Sequence, residues 1–93
     1  MGTNGPVDRQ QLVHFGLALR RESMKFTAYR EDDMVVCRRE LRDGDGARHV
    51  MQLVSRDVDE VAEFVRSDPY YPKLRAKFDQ LLLRLRMRAS HGR

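Results

Sequence analysis

The residues that could carry chemistry are few and stand far apart in this sequence. Its single cysteine is Cys37, and its histidines are His14, His49 and His91. A structural zinc site needs four such ligands, usually in close pairs, so this spacing argues against one. Cys37 stands among apolar residues in a segment with strand character, which favours a buried structural thiol over a nucleophile.

Residues 43–46, with the sequence Asp-Gly-Asp-Gly, resemble part of a calcium-binding loop, but the register fails. With Gly46 at the glycine position of such a loop, Leu41 falls at the first ligand and Gln52 at the bidentate glutamate. The chain also lacks a phosphate-binding glycine-rich loop and a serine in an elbow motif. We therefore expect no metal, no cofactor, no catalytic residue and no small-molecule substrate.

The charges are unevenly distributed along the chain. The 93 residues hold 18 lysine and arginine against 14 aspartate and glutamate side chains, a net charge of +4. Residues 73–93 carry seven basic side chains and one acidic one, whereas residues 57–68 carry five acidic side chains and one basic one. Three interpretations stay open: the two segments neutralise each other, the basic one contacts nucleic acid phosphates, or it docks an acidic protein.

Two further observations concern source and compartment. Arginine outnumbers lysine 15 to 3, which fits codon bias in a GC-rich bacterial genome better than a dedicated set of phosphate-binding guanidinium groups. A single cysteine and the lack of a signal-peptide pattern favour the cytoplasm. A membrane surface is a disfavoured partner, because the basic segment has no tryptophan and the core needs its apolar stripe.

The first segment has two possible structures. Residues 7–22 are predicted as a helix, because Phe15 and Leu19 have helical spacing. The alternation of Phe15, Leu17 and Leu19 is also typical of a strand, and Gly16 weakens a helix by about 1 kcal/mol relative to alanine.

Three strands are predicted next, at residues 23–30, 34–42 and 49–55. The acidic residues 31–33 and the Asp-Gly pairs of residues 43–46 are typical of turns. Strands this close in sequence pair antiparallel, because parallel pairing needs a long crossover.

Two helices are predicted after the strands. Asp57 is a predicted N-cap with Glu60 at the capping-box position, and Pro69 ends that helix. The last helix is predicted to begin near Pro69 or Pro72 and to run to about Ala89. The predicted fold class is therefore α+β, with an N-terminal helix, a three-stranded antiparallel meander and two C-terminal helices packed on one sheet face.

The length of the chain fits one domain. We predict a single α+β domain at residues 7–89, a flexible leader at residues 1–6 and a frayed basic tail at residues 90–93.

The last helix has the clearest features of a binding surface. Five apolar residues form one stripe for the core, while Leu83 and Met87 lie on the opposite side of the helix. The N-terminal helix could cover this second stripe, or a partner or second copy could bind it. Tyr70 and Tyr71, between two prolines, form either a corner that caps the core or an aromatic knob for a partner.

We therefore predict a small non-catalytic interaction or regulatory protein that binds a protein partner or itself through its basic C-terminal helix. The alternative is a nucleic-acid-binding regulator that uses the arginines of this helix. The predicted partner-binding residues are Tyr70, Tyr71, Leu83, Met87, Arg75, Arg84, Arg86 and Arg88.

Overall fold

A computed structural model describes residues 9–91 of the chain, with side chains described for residues 9–87. Four strands come first and two helices follow: β1 (Arg9–Ala18), β2 (Ser23–Glu31), β3 (Met34–Arg42), β4 (Arg48–Ser55), α1 (Val58–Arg66) and α2 (Arg75–His91). The strands form one antiparallel sheet in the order β1-β2-β3-β4. One face of the sheet carries both helices, with α1 on β3 and β4 and α2 on β1.

The predicted N-terminal helix and three-stranded sheet are wrong, because residues 9–18 form a fourth strand. Val13, Phe15 and Leu17 alternate toward the helix-covered face and pair with apolar residues of β2. Leu19, whose helical spacing favoured a helix, lies beyond the strand, where its N–H donates to the carbonyl of Glu22 at 2.7 Å. Strand pairing across the β1–β2 turn therefore decides the structure of this segment, not its local helical period.

Leu12 explains why the strand pattern of β1 is imperfect. The pairing register between β1 and β2 shifts between Gln11 and Val13, so Leu12 is the extra residue of a β-bulge. Both Leu12 and Val13 are buried as a result. Two consecutive buried residues break the alternation expected of a regular strand.

The turn between β3 and β4 forms where the Asp-Gly pairs predict it. The Asp43 carbonyl accepts from the N–H of Gly46 at 2.9 Å, and Gly46 has a φ of 86°, which favours glycine. The Asp43 carboxylate accepts from the N–H groups of Asp45 and Ala47. Its hydrogen bond with the imidazole of His49, followed by these backbone bonds, lowers the pKa of the Asp43 carboxyl.

The helix boundaries agree in part with the sequence. Asp57 is the N-cap of α1, as predicted, and its carboxylate accepts from the N–H of Asp59 at 2.9 Å. Glu60 instead accepts from the hydroxyl of Ser55 at 2.5 Å. Residues 70–74 form a hydrogen-bonded turn rather than a helix start, so α2 begins at Arg75.

The predicted leader at residues 1–6 lies outside the described residues, as do residues 92 and 93 of the predicted tail. The backbone of α2 continues to His91, beyond the predicted helix end. Within residues 9–91, neither helix is long and apolar enough to cross a membrane.

Three aromatic rings at the centre of the core hold α2 against the sheet. The ring of Phe78 meets the rings of Phe15 and Phe26 edge to face, with centroids 4.9 and 5.0 Å apart. Three further apolar side chains of the same helix face, and Leu74 just before the helix, are buried or half-buried against the sheet and α1. The three are Leu81, Leu82 and Leu85. This is the apolar stripe predicted for the core, and it fixes the rotation of α2 about its axis.

Candidate protein-interaction site

The outward side of α2 presents a second apolar stripe. With the core stripe fixed by Phe78, Leu83 and Met87 point away from the protein and are 58% and 59% exposed. Ala76 and Gln80 are also exposed and precede them at intervals of four and three residues. We call this line of four residues the α2 seam. The N-terminal helix that could have covered it does not exist, because that segment is β1.

The cations that flank the α2 seam differ in how far they are already engaged. Arg75 lies 3.6 Å from the carboxylate of Asp79 and over the ring of Tyr71. Arg84 donates to the backbone carbonyl of Leu12 in the bulge of β1. Arg86 has no ion-pair partner among residues 9–87. Nothing is described of the Arg88 side chain, which lies outside residues 9–87.

The two tyrosines of the interhelical corner pack inward rather than forming a knob. Tyr70 is 6% exposed, and its hydroxyl donates to Glu22 at 2.5 Å. Burial, and then the hydrogen bond to this carboxylate, raise the pKa of Tyr70 to about 12. Tyr71 is half-buried and donates to Asp79 at 2.7 Å. We therefore leave both tyrosines out of the candidate site.

The acidic and basic helices do not neutralise each other through ion pairs within residues 9–87. Of the carboxylates between residues 57 and 68, Asp68 is buried against Arg39 of β3, with the guanidinium Nε 2.6 Å from the carboxylate oxygen. Asp57 caps its own helix, and Glu60 bonds Ser55. Both helices therefore keep exposed charge, acidic on α1 and basic on α2.

The sheet face opposite the helices, here called the open face, carries charged, polar and aromatic side chains. Its register places Lys25, Thr27 and Tyr29 beside outward residues of β3, as their alternation predicts. Arg38 and Lys25 on this face have no ion-pair partner among the described residues. The ring of Tyr29 is covered by the guanidinium of Arg9, whose carbon lies 4.5 Å from the ring centroid.

The sequence reasoning missed the exposed apolar residues of β4. Val50, Met51 and Val54 are between 43% and 53% exposed. The signal was present in the sequence, because residues 50–54 place apolar residues in adjacent pairs, on both faces of the strand. Such a strand needs cover on two sides, and the two predicted helices can supply only one.

The groups with potential catalytic chemistry are held apart or buried. Burial raises the pKa of the Cys37 thiol to about 12, which keeps it protonated and poorly nucleophilic. Within residues 9–91, no three or more His, Cys, Asp or Glu side chains form a group that could hold a metal ion.

Comparison with known proteins assigns no family. No protein-family model, no curated protein and no solved structure matches the chain.

Proposed function

We propose that this protein is a non-catalytic protein-interaction module whose α2 seam binds an acidic amphipathic helix of a partner protein. The observation that carries the proposal is the exposure of Leu83 and Met87, 58% and 59%, on a helix whose other side fills the core. A helix at the rim of a small domain needs only one apolar face for folding. A second apolar face on the same helix is removed from water only when another molecule binds to it.

The spacing of the α2 seam suits a helical partner. Its residues recur at intervals of four, three and four along α2, which keeps them in line with the helix axis. Two helices pack along such a line because each side chain inserts between those of the facing helix. An amphipathic partner helix with leucine-type residues at the same intervals would bury Leu83 and Met87 together.

The charges around the seam favour an acidic partner. Lys77 and Arg86 lie on its two sides and have no carboxylate partner among residues 9–87. Carboxylates flanking the apolar line of a partner helix would meet these cations. Charge complementarity of this kind speeds association and selects the partner more than it adds affinity.

The same charges disfavour a second copy at this surface. Two α2 helices placed seam to seam would bring several cations together, with only Asp79 to offset them. The acidic α1 helix of a second copy has the right charge, but none of its described residues is a large exposed apolar side chain. We therefore assign the α2 seam to a different protein.

Nucleic acid binding is the second candidate function. It is favoured by Lys25 and Arg38, which lie on the open sheet face and form no ion pair within the described residues, although Glu40 lies opposite Lys25. It is disfavoured because Arg84 and Arg75 of α2 are engaged with Leu12 and Asp79. The ring of Tyr29 on the open face is covered by Arg9 and is not available for base stacking.

The test uses a synthetic helix of about three heptads with leucine at the seam positions and glutamate at the flanking positions. Its binding is measured by fluorescence anisotropy and compared with that of the same peptide carrying lysine for glutamate. A single-stranded oligonucleotide serves as the third probe at about 50 mM salt, where contacts to phosphate are strong. The variant L83Q/M87Q removes the apolar contacts without changing charge, and V50T/V54T is the matched control on β4.

We expect saturable binding of the glutamate peptide, a loss of at least about tenfold with L83Q/M87Q, and no change with V50T/V54T. Equal binding of the glutamate and lysine peptides would refute the acidic preference. No binding of either peptide, with salt-dependent binding of the oligonucleotide, would assign the protein to the second function. Binding of no probe would also refute the proposal.

A further inference from the structure

The sheet has two edges, and they are built differently. β1 and β4 are the outermost strands, so each directs part of its backbone N–H and C=O groups away from the sheet. Unpaired groups of this kind readily pair with another strand. Natural sheets therefore protect an edge unless it is used for pairing.

The edge of β1 is protected in two ways. The bulge at Leu12 interrupts the regular row of backbone groups that an incoming strand would need. Helix α2 lies beside this strand, and Arg84 donates to the outward carbonyl of Leu12. A groove of about 240 Å³ between them is lined by the same arginine, Lys77, Gln80 and residues 11–15. Long polar side chains thus stand where a strand would dock.

The edge of β4 has no comparable protection within residues 9–91. All eight residues of β4 pair with β3 without a register shift, so the strand is regular along its length. No proline interrupts it, and its residues from Arg48 to Gln52 are all exposed. Val50 and Val54 present apolar surface on the open face of the sheet, and Met51 presents it on the helix-covered face.

We propose that β4 pairs with β4 of a second copy of this chain, antiparallel about a two-fold axis, to form a dimer with a continuous eight-stranded sheet. Antiparallel pairing of a strand with itself satisfies both unpaired edges with the same contacts. With Gln52 on the axis, Val50 of one copy lies opposite Val54 of the other on the open face. Met51 then lies opposite Leu53 on the helix-covered face, so apolar residues meet on both faces.

The self-complementary register of β4, and not charge, supports a second copy as the occupant. The cations at the first end of β4, Arg48 and His49, are already paired with Glu40 and Asp43 of their own chain, at 2.9 and 3.0 Å. In the proposed register Arg48 of one copy lies opposite Arg56 of the other. Arg56 is likewise paired with a carboxylate of its own chain, at 3.3 Å.

Sedimentation velocity from low to high micromolar concentration tests this dimer. We expect a dimer for the wild-type chain and, for V50K/V54K, a dissociation constant raised at least about tenfold, because lysines at a strand edge oppose pairing. The control L83Q/M87Q, on the α2 seam, should remain dimeric. A monomer at all concentrations would overturn the proposal. So would a dimer that L83Q/M87Q dissociates and V50K/V54K does not.

Two further measurements do not depend on the folding of the lysine variant. Q52C should form a disulfide-linked dimer on mild oxidation, because residue 52 faces itself across the axis, while Q80C on α2 should not. Cross-linking of Q80C alone would overturn the proposal.

In the wild-type chain, backbone amides of β4 should exchange hydrogen more slowly at high than at low protein concentration. Exchange independent of concentration would contradict the dimer and would leave the α2 seam unaffected.

Discussion

The guanidinium of Arg84 donates a hydrogen bond to the backbone carbonyl of Leu12, which joins the middle of α2 to the bulge of β1. The two residues are 72 positions apart in the chain. This contact gives an arginine from the basic segment a structural role. It also closes one edge of the sheet, while the edge formed by β4 stays open.

Replacing Arg84 should loosen the β1 edge. R84M keeps the aliphatic stem of the side chain but loses the donor, so we expect unfolding free energy to fall by about 1–2 kcal/mol. The amides of β1 near His14 should then exchange faster, while those of β3 stay unchanged. R86M, on the exposed side of α2, is the matched control, and urea unfolding of both variants checks the effect. Equal stability of the two variants would show that the contact with Leu12 does not hold the edge.

Gly16 is required by a close approach between β1 and β2. A Cβ atom at this position would lie 2.6 Å from the carbonyl oxygen of Met24, which is backbone and cannot move alone. We expect G16A to lose about 1–3 kcal/mol of unfolding free energy, as in other overpacked sites. G44A is the control, because its Cβ would meet Arg21 at an ordinary 3.6 Å. If thermal melts show both variants to be equally stable, the close pairing at Gly16 is wrong.

The buried ion pair of Arg39 and Asp68 ties β3 to the corner between the helices. Asp68 also accepts from the N–H of Tyr70 at 2.8 Å. D68A leaves the guanidinium buried without its partner and should lose about 3–5 kcal/mol of unfolding free energy. D68N should lose less, because its amide oxygen can still accept from Tyr70. Chemical denaturation of the two variants measures the difference, and a D68A variant as stable as the wild type would contradict this role.

The alkaline stability of the protein should depend on Tyr70. Its pKa is raised from 10.0 to about 12 in the folded chain, first by burial and then by Glu22. Between these values the unfolded chain loses the phenol proton and the folded chain keeps it, so stability falls as pH rises from 10 to 12. Y70F should be less stable at neutral pH, because it loses the hydrogen bond to Glu22. Its deficit should shrink across this pH window, and a deficit independent of pH would contradict the raised pKa.

Local patterns predicted much of the fold, but the first strand was predicted as a helix. The Asp-Gly turn at residues 43–46 and the N-cap Asp57 depend on neighbouring residues, and both formed where expected. The apolar residues of the first segment fit the spacing of a helix as well as the alternation of a strand. Leu12, the extra residue of the bulge, also interrupts that alternation. Only pairing with β2 makes this segment a strand, and pairing is not visible in the segment itself.

The candidate surfaces also include features that local sequence predicts and features that depend on residues distant in the chain. The outward position of Leu83 follows from helical spacing once the core stripe is known. The inward packing of Tyr70 depends on its hydrogen bond to Glu22, which lies 48 positions earlier in the chain. The edge position of β4 follows from the predicted antiparallel meander, whose last strand has one neighbour. The bulge and the Arg84 contact that protect the opposite edge could not be predicted, because the segment that forms this edge was predicted as a helix.

Amide chemical shifts of the isotope-labelled protein, recorded during titration with the glutamate peptide, locate the surface that binds an acidic helix. We expect the largest shifts to cluster on α2 around Leu83 and Met87, while the amides of β4 and those near Lys25 stay in place. Shifts concentrated on the open sheet face around Lys25 and Arg38, or no shifts at saturating peptide, would contradict the proposed function.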